Sequence, residues 1–393
     1  MRSEEILEFV MGRISDRRGI EIDQIDPTLP AMDLGLSSID AVNLAGELEA
    51  KLGHPVPLSL LWEFPSLEDL CCALAEGPKA WKHLQDDTTT APVNSVQNEP
   101  MAVVGMAARF PGAPDLPTYW QNLIGKKDSV GLPPESRKRA LGDARGGYLD
   151  DVCGFDAGFF RLSSAEVRAM DPQHRLLLEL TWEALDDAGV KMEKARGSAT
   201  GVYFGISNSD AHRMTHSADF SEVLGRSLAM TSNRVSHLFD FRGPSFTLDS
   251  ACSSSLVATH LAVRALRAGD CDLAVVGAAN LILDQSVTTA FKETGFLAPD
   301  SCSRSFDAGA AGYGRSEGGG VMILKRLSKA LADEDRMYAI VRGTAVNHNG
   351  ATHGIVAPSQ SAQENLISQA WRESGIAPSR ASFVEAHGSG TRL

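Results

Sequence analysis

The residue of this chain best placed to act as a nucleophile is Cys252. It lies between a β-like run at 245–248 and a helix-like run at 256–268, which Gly269 ends. A free thiol has a pKa of roughly 8.5, and a helix N-terminus can lower that pKa because the unpaired N–H groups there stabilise a thiolate. An isolated cysteine is more often a buried structural residue. Three consecutive serines after Cys252 and a histidine motif around residue 387 favour a reactive, accessible thiol instead.

A pair of serines opens a second segment of chemical interest. Ser37 and Ser38 precede an apolar stripe of helical spacing over 39–52, which Gly53 ends. A serine at a helix start usually caps the helix by accepting a hydrogen bond from a backbone N–H. Because two serines are present, Ser37 can act as the cap while Ser38 points outward with a free hydroxyl.

Length and composition indicate a globular protein of two or three domains. The chain has 393 residues, of which 43% are hydrophobic and 22% are charged. Its net charge is −13, and residues 1–77 account for −10 of it, with 5 Lys and Arg against 15 Asp and Glu. An acidic leading domain favours partners with basic patches and argues against nucleic acid.

The cysteine pattern and the hydropathy predict a cytoplasmic protein. The six cysteines are scattered without a C-x-x-C pair, so we expect free thiols in a reducing compartment. The first residues lack the apolar core of a signal peptide. No run of about 18 apolar residues exists, so no helix is expected to span a membrane.

Apolar spacing divides the chain into a helical part and a mixed part. Residues 1–77 carry helix-like stripes, the last of which begins at Ser66, and predict a small all-α bundle. Residues 78–98 are polar without periodicity and predict a flexible linker. From residue 99 onward strand-like and helix-like runs alternate, which predicts a layered α/β domain with a largely buried sheet. The predicted strands are 101–107, 201–206, 245–248, 273–276, 321–324, 338–346 and 382–386, and the predicted helices are 171–189, 256–268 and 361–374.

Residues 1–77 resemble an acyl carrier protein. The resemblance rests on the segment 33–42, Asp-Leu-Gly-Leu-Ser-Ser-Ile-Asp-Ala-Val, and on the segment 61–70, Leu-Trp-Glu-Phe-Pro-Ser-Leu-Glu-Asp-Leu. In that family a serine at the head of the second helix bears a 4'-phosphopantetheine arm. The resemblance therefore implies Ser38 as the attachment site and a phosphopantetheinyl transferase as a partner. This sequence has Ser37 where the family usually has Asp.

Residues 99–393 resemble the β-ketoacyl synthase domain of modular polyketide synthases and related fatty acid synthases. The matching segments are 101–112, Met-Ala-Val-Val-Gly-Met-Ala-Ala-Arg-Phe-Pro-Gly; 171–179, Asp-Pro-Gln-His-Arg-Leu-Leu-Leu-Glu; 249–256, Asp-Ser-Ala-Cys-Ser-Ser-Ser-Leu; and 385–391, Glu-Ala-His-Gly-Ser-Gly-Thr. The last segment has Ser389 where the family usually has Thr. The resemblance implies a thiolase-like, layered α/β/α fold that forms a homodimer through the strand near 245–249.

The same resemblance implies a reaction. The Cys252 thiolate attacks an acyl thioester and holds the acyl chain covalently. A malonyl-type extender on a carrier protein then loses carbon dioxide, and its carbanion forms a carbon–carbon bond with the captured acyl group. His387 corresponds to the first of two histidines that the family places around the cysteine, and the backbone N–H of Cys252 to an oxyanion donor. Other synthase modules are the implied partners.

The family's second histidine lies in a downstream Lys-x-Asn-x-Gly-His run that this sequence lacks. His348 and His353 match neither family position. We therefore expect a synthase domain truncated at its C-terminus, either in a fragment or in a chain that a second polypeptide completes. We also expect little condensing activity from residues 1–393 alone.

Two other functions stay open at this point. The chain could be a catalytically silent carrier or docking protein that uses only Ser38. It could also be a cysteine hydrolase, which would need a base and an orienting Asn or Asp. The glycine-rich run 309–320 lacks the spacing and the lysine of a phosphate loop, and the histidines lack zinc spacing, so neither a nucleotide nor a metal is expected.

Overall fold

The computed structural model describes residues 2–30, 34, 38–54, 56, 60, 64–78, 80, 98–207, 209–210, 220–352, 354 and 356–391, with the backbone alone for 38–43. The chain divides into two compact units, Met1–Val93 and Asn94–Leu393. Most of the predicted linker 78–98 lies outside the described residues, as do Ser37 and His353.

The first unit is a bundle of helices around one apolar core. Its described helices are α1 Ser3–Arg18, α2 Ser38–Leu52 and α3 Leu67–Glu76, with a 3₁₀ turn at Ile22–Gln24. Ile6, Val10 and Ile14 recur at helical spacing on α1 and are fully buried. Ser66 caps α3, because its side chain accepts a hydrogen bond from the Asp69 N–H at 3.0 Å. The predicted all-α bundle is confirmed.

The second unit is built on a six-stranded sheet. In chain order the strands are β1 Met101–Arg109, β2 Val130–Gly131, β3 Gly146–Gly147, β4 Thr200–Gly205, β5 Ser245–Leu248, β6 Leu273–Asn280, β7 Gly318–Arg326 and β8 Ala339–Val341. Strands β2 and β3 form a separate two-stranded sheet, and the large sheet has the order β5-β4-β6-β7-β1-β8. Strand β4 is parallel to β5 and β6, and β7 is antiparallel to both β6 and β1. Strands β1, β4, β5 and β6 therefore point the same way.

Helices cover both faces of this sheet. In chain order they are α4 Leu116–Ile124, α5 Lys138–Leu141, α6 Ser164–Ala169, α7 Pro172–Asp187, α8 Met192–Ala195, α9 Phe220–Arg226, α10 Ala229–Phe239, α11 Ser254–Ala268, α12 Ser286–Glu293, α13 Leu327–Ala332 and α14 Gln360–Ser374. Short 3₁₀ turns lie at Glu135–Arg137, Ala251–Ser253 and Pro378–Arg380.

Successive side chains along a strand of the sheet point to opposite faces and pack into two separate apolar cores. Val202 and Phe204 of β4 pack in one core with α7 and α10, whereas Tyr203 between them packs in the other with α11. These three side chains are at most 1% exposed. A sheet buried on both faces between helices is the layered α/β arrangement that the alternating pattern predicts.

Several predicted boundaries differ from the observed ones. Helix α11 begins at Ser254 rather than at 256, and β8 ends at Val341 rather than at 346. The predicted strand 382–386 is wrong: no regular element forms there, and the side chains of Phe383 and Val384 are 82% and 80% exposed. No described strand pairs with this segment, and a strand needs a neighbour to satisfy its backbone N–H and C=O groups. No described helix combines the length and apolar character needed to cross a bilayer.

Helix α7 contains a buried histidine without a hydrogen-bond partner. His174 is 1% exposed, and neither ring nitrogen has a hydrogen-bond partner in the described part of the chain. Burial lowers the pKa of His174 to about 4, against the charge of Asp171 and with help from Arg234 and Arg175. The folded protein therefore holds this imidazole neutral.

We predict that His174 makes the fold sensitive to mild acid. In the unfolded chain the imidazole has an ordinary pKa of about 6.5, so the unfolded state binds the proton more readily. The stability is fully present above pH 6.5 and is lost as the pH falls towards 4, by on the order of 3 kcal/mol. The measurement is the free energy of unfolding from pH 8 to pH 4.5 for wild type and His174→Gln. The difference in free energy of unfolding between the two proteins should narrow as the pH falls. Parallel curves of that free energy against pH would contradict the assignment.

Candidate functional site

The carboxyl ends of the parallel strands meet at one edge of the sheet and surround a cavity. Phe110 follows β1, Ser207 follows β4 and Asp249 follows β5, and all three line it. The cavity has a volume of about 890 Å³, which lies within the range of small-molecule sites. Its walls include several apolar side chains, namely Met106, Phe110, Leu116, Phe291 and Met322.

Glycines allow the elements around this cavity to approach closely. A Cβ atom on Gly205, the last residue of β4, would lie 2.6 Å from the backbone carbon of Ser254. A Cβ atom on Gly277 of β6 would lie 2.9 Å from the carbonyl oxygen of Gly320. Both distances are inside van der Waals contact, so a larger residue would push α11 and β7 away from their present positions.

Cys252 lies in the 3₁₀ turn between β5 and α11 and lines the cavity. Its side chain is exposed, as the strand-to-helix junction in the sequence predicts. The preceding residue, Ala251, has a φ of +53°, a left-handed conformation that is uncommon outside glycine. The backbone N–H of Cys252 has no hydrogen-bond acceptor among the described residues. The turn thus offers both a sulfur and an unpaired donor.

Polar side chains hold this turn in place. The Ala251 N–H donates to Asp249 Oδ1 at 2.8 Å. Ser254 Oγ accepts from the Ser250 N–H at 2.9 Å and donates to the Ala251 carbonyl at 2.7 Å. Ser253 Oγ donates to the Ser250 carbonyl at 2.8 Å. The side chains of the serines around Cys252 therefore fix the backbone conformation of the turn.

Tyr313 is a cavity residue that the sequence analysis did not single out. It is half-buried and lines the same cavity as Cys252. Burial raises the pKa of Tyr313, and the neighbouring Cys252 raises it further, whereas Arg315 opposes the shift. The phenol therefore stays protonated and can donate a hydrogen bond. A backbone hydrogen bond holds Tyr313 in place: its N–H donates to the Phe296 carbonyl at 3.0 Å.

The sequence signal for Tyr313 was the glycine-rich run 309–320. A Cβ atom on Gly314 would lie 1.9 Å from the carbonyl oxygen of Ser301, so the run packs more tightly than other residues permit. Glu317 in this run is 3% exposed and pairs with Arg137 at 2.5 Å. Its carboxylate also accepts from the N–H of Leu149 at 2.9 Å. The glycines and this buried pair position the cavity wall.

The structure does not bring His387 to the cavity wall. Its side chain is exposed, and the described lining includes Cys252 and Tyr313 but not His387. The turn after it is attached to neighbouring loops: Ser305 Oγ donates to Gly388 O, and the Gly312 N–H donates to Gly390 O at 2.9 Å. The histidine motif is therefore attached to the run that carries Tyr313, while the imidazole lies outside the described lining.

Ser38 is the first residue of α2, and its side chain lies outside the described residues. A hydroxyl at the N-terminus of a 15-residue helix suits a phosphodiester, because the free N–H groups and the helix dipole attract its negative charge. The residue present thus fits a 4'-phosphopantetheine group. Among the described residues, no group of three or more His, Cys, Asp or Glu could hold a metal ion.

Three family models match the chain. The model of the beta-ketoacyl synthase N-terminal domain matches residues 98–330, and that of the beta-ketoacyl synthase C-terminal domain matches residues 338–393. The model of the phosphopantetheine attachment site matches residues 8–74. Residues 8–74 thus belong to a domain for attachment of 4'-phosphopantetheine.

Curated relatives are much longer than this chain. A phenolphthiocerol/phthiocerol polyketide synthase of Mycobacterium tuberculosis is 42% identical over 397 residues, which cover 95% of this chain and 21% of that protein. Polyketide synthase GfsA of Streptomyces halstedii is 36% identical over 411 residues, which cover 99% of this chain and 5% of that protein. The chain thus spans about a fifth or less of these relatives.

Solved structures of ketosynthases share the fold. The ketosynthase from module 6 of the bacillaene synthase from Bacillus subtilis 168 is similar with a TM-score of 0.70 and 38% identity, over 75% of this chain and 51% of that chain. An oxazolomycin ketosynthase domain from Streptomyces albus JA3453 is similar with a TM-score of 0.69 and 41% identity, over 75% of this chain and 54% of that chain. The thiolase-like α/β fold is confirmed. The chain belongs to the beta-ketoacyl synthase family, and its synthase domain follows a phosphopantetheine attachment domain.

Proposed function

We propose that the chain serves a polyketide-type assembly line, in which Ser38 carries the arm for an acyl thioester and Cys252 captures the acyl group. The observation that carries this proposal is the exposed Cys252 at a cavity of about 890 Å³ with apolar walls. An acyl chain is apolar and fits such walls. The curated relatives are named polyketide synthases, which supports the same function.

Acyl capture is a transfer between two sulfur atoms. Cys252 loses its proton, and its sulfur forms a bond to the carbonyl carbon of an acyl thioester. The carbonyl oxygen becomes an oxyanion, to which the unpaired N–H of Cys252 can donate a hydrogen bond. The carbonyl bond then re-forms as the bond to the departing sulfur breaks, and the departing thiolate takes up a proton, which balances the one that Cys252 lost. The protonated Tyr313 lies at the same cavity and supplies a second donor there.

The carrier unit provides the site of attachment. When bound, 4'-phosphopantetheine supplies a terminal thiol on a flexible chain. Ser38 at the head of α2 offers the hydroxyl that a phosphopantetheinyl transferase would modify, and the α2 N-terminus stabilises the phosphate charge.

Carbon–carbon bond formation makes a further demand on the protein. A malonyl-type extender must lose carbon dioxide beside the acylated Cys252, and we assign His387 to this step by its motif. Its imidazole does not line the described cavity. We therefore infer that the 393-residue chain by itself captures acyl groups but condenses them poorly, and that a complementing chain or a rearrangement of 381–391 is needed for condensation.

Strand β5 is the surface that we propose for homodimer formation. It lies at the edge of the large sheet and pairs only with β4 among the described strands. An unpaired strand edge presents a row of free N–H and C=O groups, which a second copy can pair with. We also place the protein in the cytoplasm, because its six cysteines are free and an exposed nucleophilic thiol survives in a reducing compartment.

The rival functions have less support. A silent carrier or docking protein needs no exposed thiol at a cavity. A cysteine hydrolase needs a base within reach of the sulfur, and the described lining of the cavity holds no histidine.

We predict that an acyl thioester of N-acetylcysteamine acylates the full chain at Cys252, because this sulfur is exposed at an apolar cavity. Intact mass and peptide mapping measure the adduct. Cys252→Ala should lose it, whereas Cys153→Ala, which removes another exposed cysteine, should keep it. An unchanged adduct in Cys252→Ala would overturn the assignment.

We predict that Ser38 is the modified serine. Incubation with coenzyme A and a phosphopantetheinyl transferase should add one arm to the wild-type chain, measured as a mass increase. Ser38→Ala should abolish the increase, because no hydroxyl remains at the head of α2. Ser37→Ala is the matched control and should keep it. A modified Ser38→Ala protein would place the site elsewhere.

We predict that wild-type protein acylated at Cys252 forms little β-ketoacyl product from a malonyl thioester. The physical reason is that no histidine is among the described residues that line the cavity. Product is measured by mass spectrometry after release from the protein, with an extender-free reaction as the control. Product in near-stoichiometric amount with Cys252 would show that the chain alone is competent.

A further inference from the structure

We propose that Ser254 is a positioning residue, which fixes the Cys252 turn so that the Cys252 N–H can stabilise an acyl oxyanion. The inference rests on the proposed capture of acyl groups by Cys252 and deepens it. It assigns to one buried serine, rather than to the exposed serines beside it, the geometry on which the oxyanion donor depends.

Ser254 joins the two residues that precede Cys252. Its hydroxyl accepts the Ser250 N–H at 2.9 Å and donates to the Ala251 carbonyl at 2.7 Å. The 249–250 peptide unit, through its N–H, and the 251–252 peptide unit, through its carbonyl, are thus tied to one oxygen atom, and the second of these units also carries the Cys252 N–H. Ser254 is 5% exposed, so water does not compete well for these bonds.

The residue so held has an unfavourable backbone conformation. Ala251 has a φ of +53°, which an alanine adopts only when its surroundings enforce it. Ser254 holds its carbonyl, and Asp249 Oδ1 accepts its N–H at 2.8 Å. Without the Ser254 hydroxyl the residue is free to relax towards negative φ, and the orientation of the next N–H, that of Cys252, changes with it.

The anchor itself is fixed to the sheet. A Cβ atom on Gly205 would lie 2.6 Å from the backbone carbon and 2.8 Å from the Cβ atom of Ser254, so β4 and the head of α11 are in direct contact. Ser254 therefore fixes the position of the turn relative to the edge of the sheet that borders the cavity. Ser253 is exposed, and its hydroxyl bonds only to Ser250 in the described structure, so solvent can replace the contribution of that hydroxyl.

Two reactions of the same thiol separate positioning from general reactivity. Acylation by a thioester passes through an oxyanion and needs the Cys252 N–H. Alkylation by iodoacetamide is a direct displacement at carbon and forms no such oxyanion. A positioning role for Ser254 therefore affects the ratio of the two rates, whereas a change in thiol exposure or ionisation affects both.

The experiment compares full-length wild type with Ser254→Ala. The rates of Cys252 acylation by an acyl N-acetylcysteamine thioester and of Cys252 alkylation by iodoacetamide are measured by peptide mass spectrometry. We expect the acylation rate of Ser254→Ala to fall at least about tenfold, because a misplaced N–H stabilises the oxyanion only in part. The alkylation rate should stay within about twofold of the wild-type rate.

Thr181→Val is the matched control. Thr181 is fully buried on α7, where its hydroxyl donates to the Leu177 carbonyl at 2.6 Å, so the variant also loses one buried hydroxyl bond. Its ratio of acylation rate to alkylation rate should equal that of wild type. Asp249→Ala is the second variant and releases the Ala251 N–H from an exposed carboxylate, which threatens folding less than a buried change does. Its ratio should fall about threefold.

The outcomes are distinct. Wild type that is alkylated but never acylated at Cys252 would refute the proposed function itself. Acylated wild type with unchanged ratios in Ser254→Ala and Asp249→Ala would refute the positioning role alone. An equal fall in Thr181→Val would show a general effect of lost stability and would also refute it. Should Ser254→Ala not fold, an unchanged ratio in Asp249→Ala would still refute the proposal, because it would show that the restraint of Ala251 does not affect the oxyanion donor.

Discussion

Direct contact between the end of β4 and the head of α11 makes this site possible. The contact requires glycine at 205, because any side chain there would meet the backbone of Ser254. Once α11 starts at that point, the chain leaving β5 must turn sharply. The turn places Ala251 at a positive φ, a conformation that costs an alanine roughly 1–2 kcal/mol, and bonds from Asp249 and Ser254 offset that cost.

The direction of the strands places the cavity. Four strands of the large sheet end at the same edge, so Cys252, the residues after β1 and the residues after β4 meet there without any of them being close in sequence. The glycine-rich run 309–320 also lines the cavity. Glu317 of this run is buried and forms an ion pair with Arg137, and a buried charge is costly to desolvate unless further hydrogen bonds satisfy it. The Leu149 N–H supplies one of these bonds.

Much of the fold could be predicted from the sequence, because local patterns determine local elements. The Ile6, Val10 and Ile14 stripe predicts α1, and the alternation of strands and helices predicts the buried sheet. Predictions failed where an element depends on distant partners. The segment 382–386 has the composition of a strand, but no described strand pairs with it. Strand β4 lies between β5 and β6. The order of strands in a sheet cannot be predicted from the local sequence pattern of any single strand.

Residue type and local spacing were enough to establish the chemistry on offer: a thiol at a strand-to-helix junction, a hydroxyl at a helix start and a histidine in a glycine turn. They were enough because a helix N-terminus forms within one turn of chain. Which of these groups meet depended on the packing of distant elements. That packing brought Tyr313, 61 positions beyond Cys252, to the same cavity and left His387 exposed outside the described lining. Side-chain neighbours depend on how β-strands pair and how closely helices approach them, and glycines such as Gly205 set those distances through contacts that no local pattern records.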